Sequence, residues 1–286
     1  MTKIVTKEDI KSLYMPPVRS HKGQNGRLLV IGGSHLFHAA SLWALQVASR
    51  IVDLVHYSSV EENNEIVQKL KKEFRNGIVI SRQNIEEYTE EDDCNLIGPG
   101  MTRDRETEEL THNLLTKFPK KQWVIDAGAL QMIRLEDIPV GAILTPHQGE
   151  WEELWKKCQM INAKCQIENI NLEEQVSLFV HIYHCIVLVK GERDIVCDGS
   201  DAAVGVQCRS IAGGNAGMTK GGTGDVLAGL IAALATKNDP MLATIAGSLI
   251  NKQAGDALYK KVGPYFNATD LANQIPETMK KLLSHN

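Results

Sequence analysis

Short, unbroken apolar runs recur along this chain, and they restrict what it can fold into. RLLVIGG (27–33), IVDLVHY (51–57), GIVIS (77–81), CNLIGPG (94–100), QWVIDAG (122–128), AILTP (142–146), CIVLVKG (185–191) and DIVCDG (194–199) all read as strands, with AVGVQCR (203–209) a weaker candidate. Strands that are apolar at successive positions are buried on both faces. Helical stretches such as HAASLWALQVASR (38–50) and DRETEELTHNLLTKF (from 104) lie between them, and strand–helix alternation pairs strands in parallel through crossovers. The expected fold class is α/β, with three α/β/α layers around a mostly parallel central sheet. The runs at 185–191 and 194–199 are too close for a helical crossover. They predict an antiparallel β-hairpin near 185–199, turning at Glu192 and Arg193. The last quarter, from Asp225, reads as helical, and 156–173 as a less regular surface excursion.

The chain has 286 residues, 43% of them hydrophobic, which suits one domain over 1–286 with a sizeable core. A net charge of −4 and 5% aromatic residues argue against nucleic acid as a partner. No run approaches the ~20 apolar residues of a membrane span, and MTKIVTKEDIKS lacks the apolar core of a leader. A soluble, cytoplasmic protein is expected, with no membrane partner. The six cysteines form no C-x-x-C and several fall in strand-like runs, so they read as small buried apolar residues rather than as a metal site or a disulfide framework.

One segment carries chemistry. Gly213, Gly214, Gly217, Gly221, Gly222 and Gly224 precede Asp225, and an apolar helix follows at once. A helix N-terminus offers unpaired amides and partial positive charge, and glycines let that backbone close around an anion. The segment is not a Walker loop, because Lys220 precedes its glycines; nor is it a dinucleotide fingerprint, because Leu227 stands at the third glycine's place. Asp225 has two readings: a helix cap favoured by the dipole, or a base taking a proton from a hydroxyl that attacks a cradled phosphoryl group.

Six stretches in order, HKGQNGRLLVIGGS (21–34), NLIGPG (95–100), VIDAGAL (124–130), LTPHQGEWEEL (144–154), VLVKG (187–191) and GNAGMTKGGTGDVLAG (214–229), resemble the NAD(P)H-hydrate dehydratases of the ribokinase-like superfamily. The resemblance covers about residues 20 to 275 and implies a ribokinase-like fold. It implies an enzyme, an ADP-dependent (S)-NAD(P)H-hydrate dehydratase (a lyase), that repairs nicotinamide cofactors. Such an enzyme phosphorylates the hydroxyl of NADH hydrate or NADPH hydrate, then eliminates phosphate. ADP, or ATP, is the implied donor, with Mg2+ assisting. Asp225 matches the general base, and Gly222 and Gly224 the anion hole, with Thr223 adding a hydroxyl donor. Lys190, Gly191, Glu192, Arg193 and Asp194 match the nucleotide-lining segment, together with Thr223 and Gly224. Ala40, Gly98, Gly100, His147 and Asp225 match substrate-contacting positions. Asp126 and Glu150 read as loop-fixing or capping residues, or as aids to the metal, and no residue is assigned as a metal ligand.

The chain departs from the family pattern in several places. Gly128 stands where a second aspartate is usual, Met101 and Thr102 replace Leu-Gly, Ala39 replaces a glycine, and Gln148 a proline. The resemblance further implies a homo-oligomer, with a tetramer among the options, no fused epimerase domain, and a separate epimerase acting on the same metabolite.

Weaker features take bland readings. His181 and His184 read as helix-end histidines, His35 and His38 as surface residues over the substrate cleft, and EEYTEEDD (86–93) as a solvated acidic face. Two alternatives stay open: a small-molecule kinase of the same superfamily for a sugar, thiazole or pyrimidine, and a non-enzymatic nucleotide sensor. A Rossmann dehydrogenase is excluded, because the first glycine turn lacks the fingerprint.

Overall fold

The structure is a computed structural model that describes residues 2–70, 76–167 and 169–284. The chain enters through a two-residue strand, β1 (Lys3–Ile4), and then forms β2 (Arg27–Ile31), α1 (Ala39–Ala48), β3 (Leu54–Ser58), α2 (Glu61–Lys69), β4 (Ile78–Val79), α3 (Ile85–Glu91) and β5 (Cys94–Ile97). α4 (Arg105–Lys117), β6 (Gln122–Ile125), α5 (Ala127–Met132), β7 (Ile143–Leu144), α6 (Gln148–Ile161) and α7 (Leu172–Tyr183) follow. β8 (Ile186–Val189), β9 (Asp194–Asp198), β10 (Gln207–Ile211), α8 (Thr223–Ala235), α9 (Pro240–Val262) and α10 (Ala268–Leu283) complete it. Among the described residues the strands form one sheet in the order β1-β10-β9-β8-β7-β6-β5-β2-β3-β4. β9 runs antiparallel to both of its neighbours, and the other pairings are parallel. The hairpin predicted at 185–199 is therefore β8–β9.

Alternate residues of each central strand enter different cores, as a period of two requires. Leu28 and Val30 of β2 join Val124, Ile143 and Leu188 beneath α1, α8, α9 and α10. Leu29 and Ile31 join Trp123, Leu144 and Val187 beneath α4 to α7. α8 is apolar on every side because it is enclosed, with Val226 through Ala235 all buried. Its fit depends on Gly229: a Cβ there would lie 2.6 Å from both Cα and O of Ala44 in α1.

Several details differ from the sequence reading. β3 begins at Leu54, not 51, because Asp53 is held in the preceding turn by the amides of Gly23 at 2.8 Å and Asn25 at 3.0 Å. β10 begins at Gln207, after a turn at Gly205 with φ +75°. β1 has no apolar run to announce it and owes its extended shape to pairing with Arg209 and Ser210. Within the acidic run, Asp92 is fully buried, its carboxylate 2.8 Å from His56 Nδ1.

Cys94 and Cys185 are buried thiols as expected, and Cys158, Cys165 and Cys197 are buried too, but the expectation of no disulfides fails. Cys158 is bonded to Cys165 and Cys197 to Cys208. The second pair lies directly opposed across the β9–β10 register, with Cα atoms 4.2 Å apart. Register of that kind is a product of strand pairing, and spacing in sequence does not reveal it. The excursion at 156–173 begins as helix, since α6 runs to Ile161 before a single turn at Ala163–Cys165; residue 168 lies outside the described residues. No helix of the described residues is long and apolar enough to cross a membrane.

Gly229→Ala tests the α1–α8 contact. Alanine is the better helix former by ~1 kcal/mol, yet the added methyl must force two packed backbones apart. Urea unfolding should show a net loss of about 1–3 kcal/mol; a gain in stability would mean that α1 and α8 are not in close contact.

Candidate functional site

The sheet changes direction between β2 and β5, and ligands of open α/β sheets gather at the carboxyl ends of strands near such a switch. Here those ends carry Gly32 and Gly33 after β2, Gly98 to Gly100 after β5, Asp126 after β6, His147 beyond β7 and Lys190 after β8. The N-terminus of α8 points into the same space.

Gly222 is the N-cap of α8, with φ +94°. A Cβ there would strike the Trp43 ring at 2.4 Å, so both its conformation and its surroundings require glycine. Gly224 follows in the first turn, where amides have no preceding helical carbonyl to bond. A Cβ on Gly224 would stand 3.4 Å from Lys190 Nζ. The loop thus brings bare backbone and an ammonium group together. The Thr223 side chain behaves otherwise: its hydroxyl donates to the carbonyls of Met218 at 2.6 Å and Lys220 at 2.9 Å, so its single proton is already engaged.

Lys190 is anchored from below. Its Nζ lies 3.0 Å from Asp126 Oδ1, and Asp126, 2% exposed, also accepts from Thr145 Oγ1 at 2.8 Å. Burial draws the Lys190 ammonium downward, but the charges of Asp126, Glu150 and Asp225 outweigh it and hold it above its ordinary value. Asp225 feels the opposite balance. Burial, and then the neighbouring Asp126 charge, push its carboxyl up to about 7 against the pull of Lys190. A carboxylate held near neutrality is suited to take and return a proton at physiological pH.

Two cavities meet at Asp225. One, of about 850 Å³, is lined by Lys190, Gly191, Glu192, the glycine loop and Asn251. The other, of about 720 Å³, is lined by Phe37, Ala40, Trp43, Gly100, Met101 and Arg103. Asp225 lines both, together with Ala127, Gly221 and Gly222. Ala127 has φ +44°, a left-handed conformation unusual for a residue with a side chain and often found at functional sites.

Most of the expected residues converge here, with distinctions. Ala40, Gly100 and Asp225 line the smaller cavity. Gly98 lies beneath the Asp126 carbonyl, which leaves no room for a Cβ. His147 lines the larger cavity, bridged to Lys190 as an extension of the β7–β8 ladder. It also caps α6, its Nδ1 accepting from the Glu150 amide at 3.2 Å, while the Glu150 carboxylate accepts from the His147 amide at 2.8 Å. In the 190–194 segment, Gly191, Glu192 and Asp194 line the larger cavity, while Arg193 is exposed at the turn. Asp194 is buried and accepts from the Gly191 amide at 2.9 Å and from Ser248 Oγ at 2.7 Å. Two sequence departures touch each other: a Cβ at Gly128 would lie 2.2 Å from the Met101 carbonyl oxygen.

Lys252 was not legible in the sequence. It lies in α9, 5% exposed, with Nζ 3.1 Å from Asp194 Oδ1 and bonded to the carbonyls of Gly191 at 2.9 Å, Glu192 at 3.2 Å and Gly213 at 3.1 Å. It ties the hairpin turn to the glycine loop across the larger cavity. No motif surrounds it, and a lysine inside an amphipathic helix ordinarily faces solvent.

The model of the NAD(P)H-hydrate dehydratase family matches residues 28–277. The chain belongs to that family. A bifunctional NAD(P)H-hydrate repair enzyme of Methanocaldococcus jannaschii is 34% identical over 282 residues, covering 95% of this chain and 52% of that protein. An ADP-dependent (S)-NAD(P)H-hydrate dehydratase of Nitrosopumilus maritimus is 31% identical, covering 92% of this chain and 91% of that one. The chain spans about half the length of the bifunctional relatives it matches. Among solved structures, a ribokinase-like superfamily protein from Enterococcus faecalis superposes with a TM-score of 0.82 at 23% identity, covering 98% of this chain and 96% of that one. The ADP/ATP-dependent NAD(P)H-hydrate dehydratase of Bacillus subtilis, co-crystallised with ATP and Mg2+, gives 0.80 at 21% identity over 98% of this chain and 99% of that one. These two establish a ribokinase-like fold.

The electrostatics of the site predict a pH profile. A base must be unprotonated, so kcat/KM should rise with pH through about 7, following Asp225. Asp126→Asn removes a like charge from beside Asp225 and frees Lys190 to attract it. Both effects lower the Asp225 pKa, so the acid limb should move to lower pH. An unmoved limb would show that another group sets it.

Proposed function

We propose that this chain phosphorylates the hydroxyl of hydrated NADH or NADPH with ADP and then expels phosphate, restoring the reduced ring. The observation that carries this reading is Asp225 on the wall common to two cavities, with the α8 amides and the Lys190 ammonium beside it. The larger cavity takes the donor, its phosphates against Gly222 and Gly224. The smaller, with Phe37, Trp43 and Met101, takes the flat hydrated ring. The names of the relatives, one of them specifying ADP, support the reaction.

In the first step Asp225 accepts the hydroxyl proton as the oxygen attacks the terminal phosphoryl group of the donor; the bond to the bridging oxygen breaks and AMP departs. Lys190 and the loop amides hold the charge that spreads over the phosphoryl oxygens. In the second step the ring nitrogen drives out phosphate and the adjacent ring carbon loses a proton, re-forming the double bond. The oxygen of the added water leaves within the phosphate.

Among the described residues no group of three or more His, Cys, Asp or Glu could enclose a metal ion. Mg2+ entering with the donor's phosphate oxygens would be held from the protein side by Asp126 and Glu150, which line the larger cavity. When bound, Mg2+ supplies charge neutralisation at those oxygens.

Asp225→Asn tests the assignment. Turnover of NADH hydrate, followed by the reduced-nicotinamide absorbance, should fall by ~10²–10⁴-fold while calorimetry still detects ADP binding. The folded protein holds the Asp225 proton to about pH 7, whereas an unfolded chain releases it near ~4. Between those values the folded state binds more protons, so stability falls as pH rises. The Asn variant should therefore melt higher than wild type above pH 7, with the gap closing below about 4. Variant turnover above about a tenth of wild type would remove Asp225 as the base. A stable phosphorylated product in place of reduced nicotinamide would instead mark a small-molecule kinase.

Donor choice follows from reach. Lys252 fixes the hairpin turn against the glycine loop, so a nucleoside seated at the turn presents one phosphoryl position to Gly224. A phosphoryl group misplaced by ~1 Å can lose about 10²-fold in rate. The ratio of kcat/KM for ADP to that for ATP, on one hydrate preparation, should exceed about tenfold. A ratio favouring ATP overturns the ADP assignment alone.

A further inference from the structure

We infer that Arg103 grips the diphosphate bridge of the dinucleotide substrate and anchors it outside the reacting ring. The inference rests on the function proposed above and names the residue through which the smaller cavity distinguishes a dinucleotide from a bare ring.

Charge is the starting point. A nicotinamide dinucleotide carries two linked phosphates, each negative at neutral pH. With its hydrated ring at Asp225, the rest of the molecule must leave through the mouth of the smaller cavity. That cavity is apolar over much of its wall, and its charged or titratable lining is His38, Arg103 and Asp225. Asp225 repels phosphate. His38 is engaged through Nδ1 with Asn63. Arg103 alone offers a permanent positive charge.

The guanidinium is also uncommitted. Arg103 is exposed and has no hydrogen bond or ion pair among the described residues, in a stretch where its neighbours are taken. Asp104 accepts from Thr102 Oγ1 and caps α4 through the Thr107 amide at 2.9 Å, and Arg105 Nε pairs with Glu109 at 2.6 Å. The Asp104 cap fixes the backbone from which Arg103 projects, between Gly100 at the cavity and the first turn of α4. A planar fork on a fixed backbone suits two adjacent phosphate oxygens better than a lysine would. Leu36 and Phe37, 69% and 50% exposed, flank the same mouth and give the remainder of the dinucleotide an apolar surface.

The test compares Arg103→Gln and Arg103→Lys with wild type on three substrates: NADH hydrate, NADPH hydrate, and the hydrate of reduced nicotinamide riboside, which has no phosphate. Arg103→Gln should raise KM for both dinucleotide hydrates about ten- to hundredfold, the usual worth of hydrogen bonds to a charged group. Because this interaction is uniform binding, kcat and the donor KM should stay within about twofold. Arg103→Lys should recover part of the loss. On the riboside hydrate, Arg103→Gln and wild type should be equal. Unchanged dinucleotide KM values, or an equal loss on the riboside, overturns the inference. A loss confined to NADPH hydrate also overturns it, by assigning Arg103 to the extra ribose phosphate. If wild type converts none of the hydrates, the proposed function itself falls, and this inference with it.

Discussion

The contact between half-buried Lys190 and buried Asp126 is the interaction on which the site depends. Taking two charges out of water costs several kcal/mol per ion before their attraction returns any of it. A hydrophobic pair would fill the same space at less cost, so stability alone does not account for the ion pair. It does set the electrostatics of everything nearby. Lys190 is kept charged beside the bare backbone of Gly224. Asp126 lifts the proton affinity of Asp225, which burial had already raised. One pair thus sets the charge state on both sides of the glycine loop, and it does so at the joined ends of β6 and β8 with β7 between them.

The rest of the fold delivers α8 to that pair. An all-apolar helix is stable only when enclosed, and α8 is enclosed by α1, α9, α10 and the sheet. Gly229 allows the close approach to α1 that sets its depth. Its first turn, Thr223 to Asp225, thereby lines the larger cavity. Lys252 completes the frame from α9, joining three carbonyls and Asp194 across that cavity. Buried Asp126, Asp194 and Lys252, each hydrogen-bonded or ion-paired, form part of the wall of the larger cavity, whereas the smaller cavity opens between exposed Leu36, Phe37 and Arg103.

Much of this was legible in the residues, for physical reasons. Doubly buried strands must be apolar at consecutive positions, so β2, β5, β6, β7 and β8 were visible as runs. Glycines before an apolar helix must serve backbone geometry, so the 213–225 loop stood out. Features that depend on pairing in space were not visible. β1 is extended only because β10 lies beside it. Cys197 meets Cys208 only through the register of β9 and β10. Asp92 looks like one acid among several until His56 is found against it. Thr223 looks like a phosphate donor until its hydroxyl is seen bonded to Met218 and Lys220.

The sequence by itself determined the layered α/β architecture, the hairpin, the glycine loop and its aspartate, because burial and backbone freedom write themselves into residue type and order. Tertiary structure alone decided which cavity each residue lines, that Asp225 is shifted up to about 7, and that Lys252 and Arg103 stand on the walls of those cavities. Those properties depend on distances between groups far apart in the chain: 64 positions separate Lys190 from Asp126, and 39 separate Lys252 from Gly213. Electrostatic and packing forces act on separation in space, and only the folded chain fixes that separation.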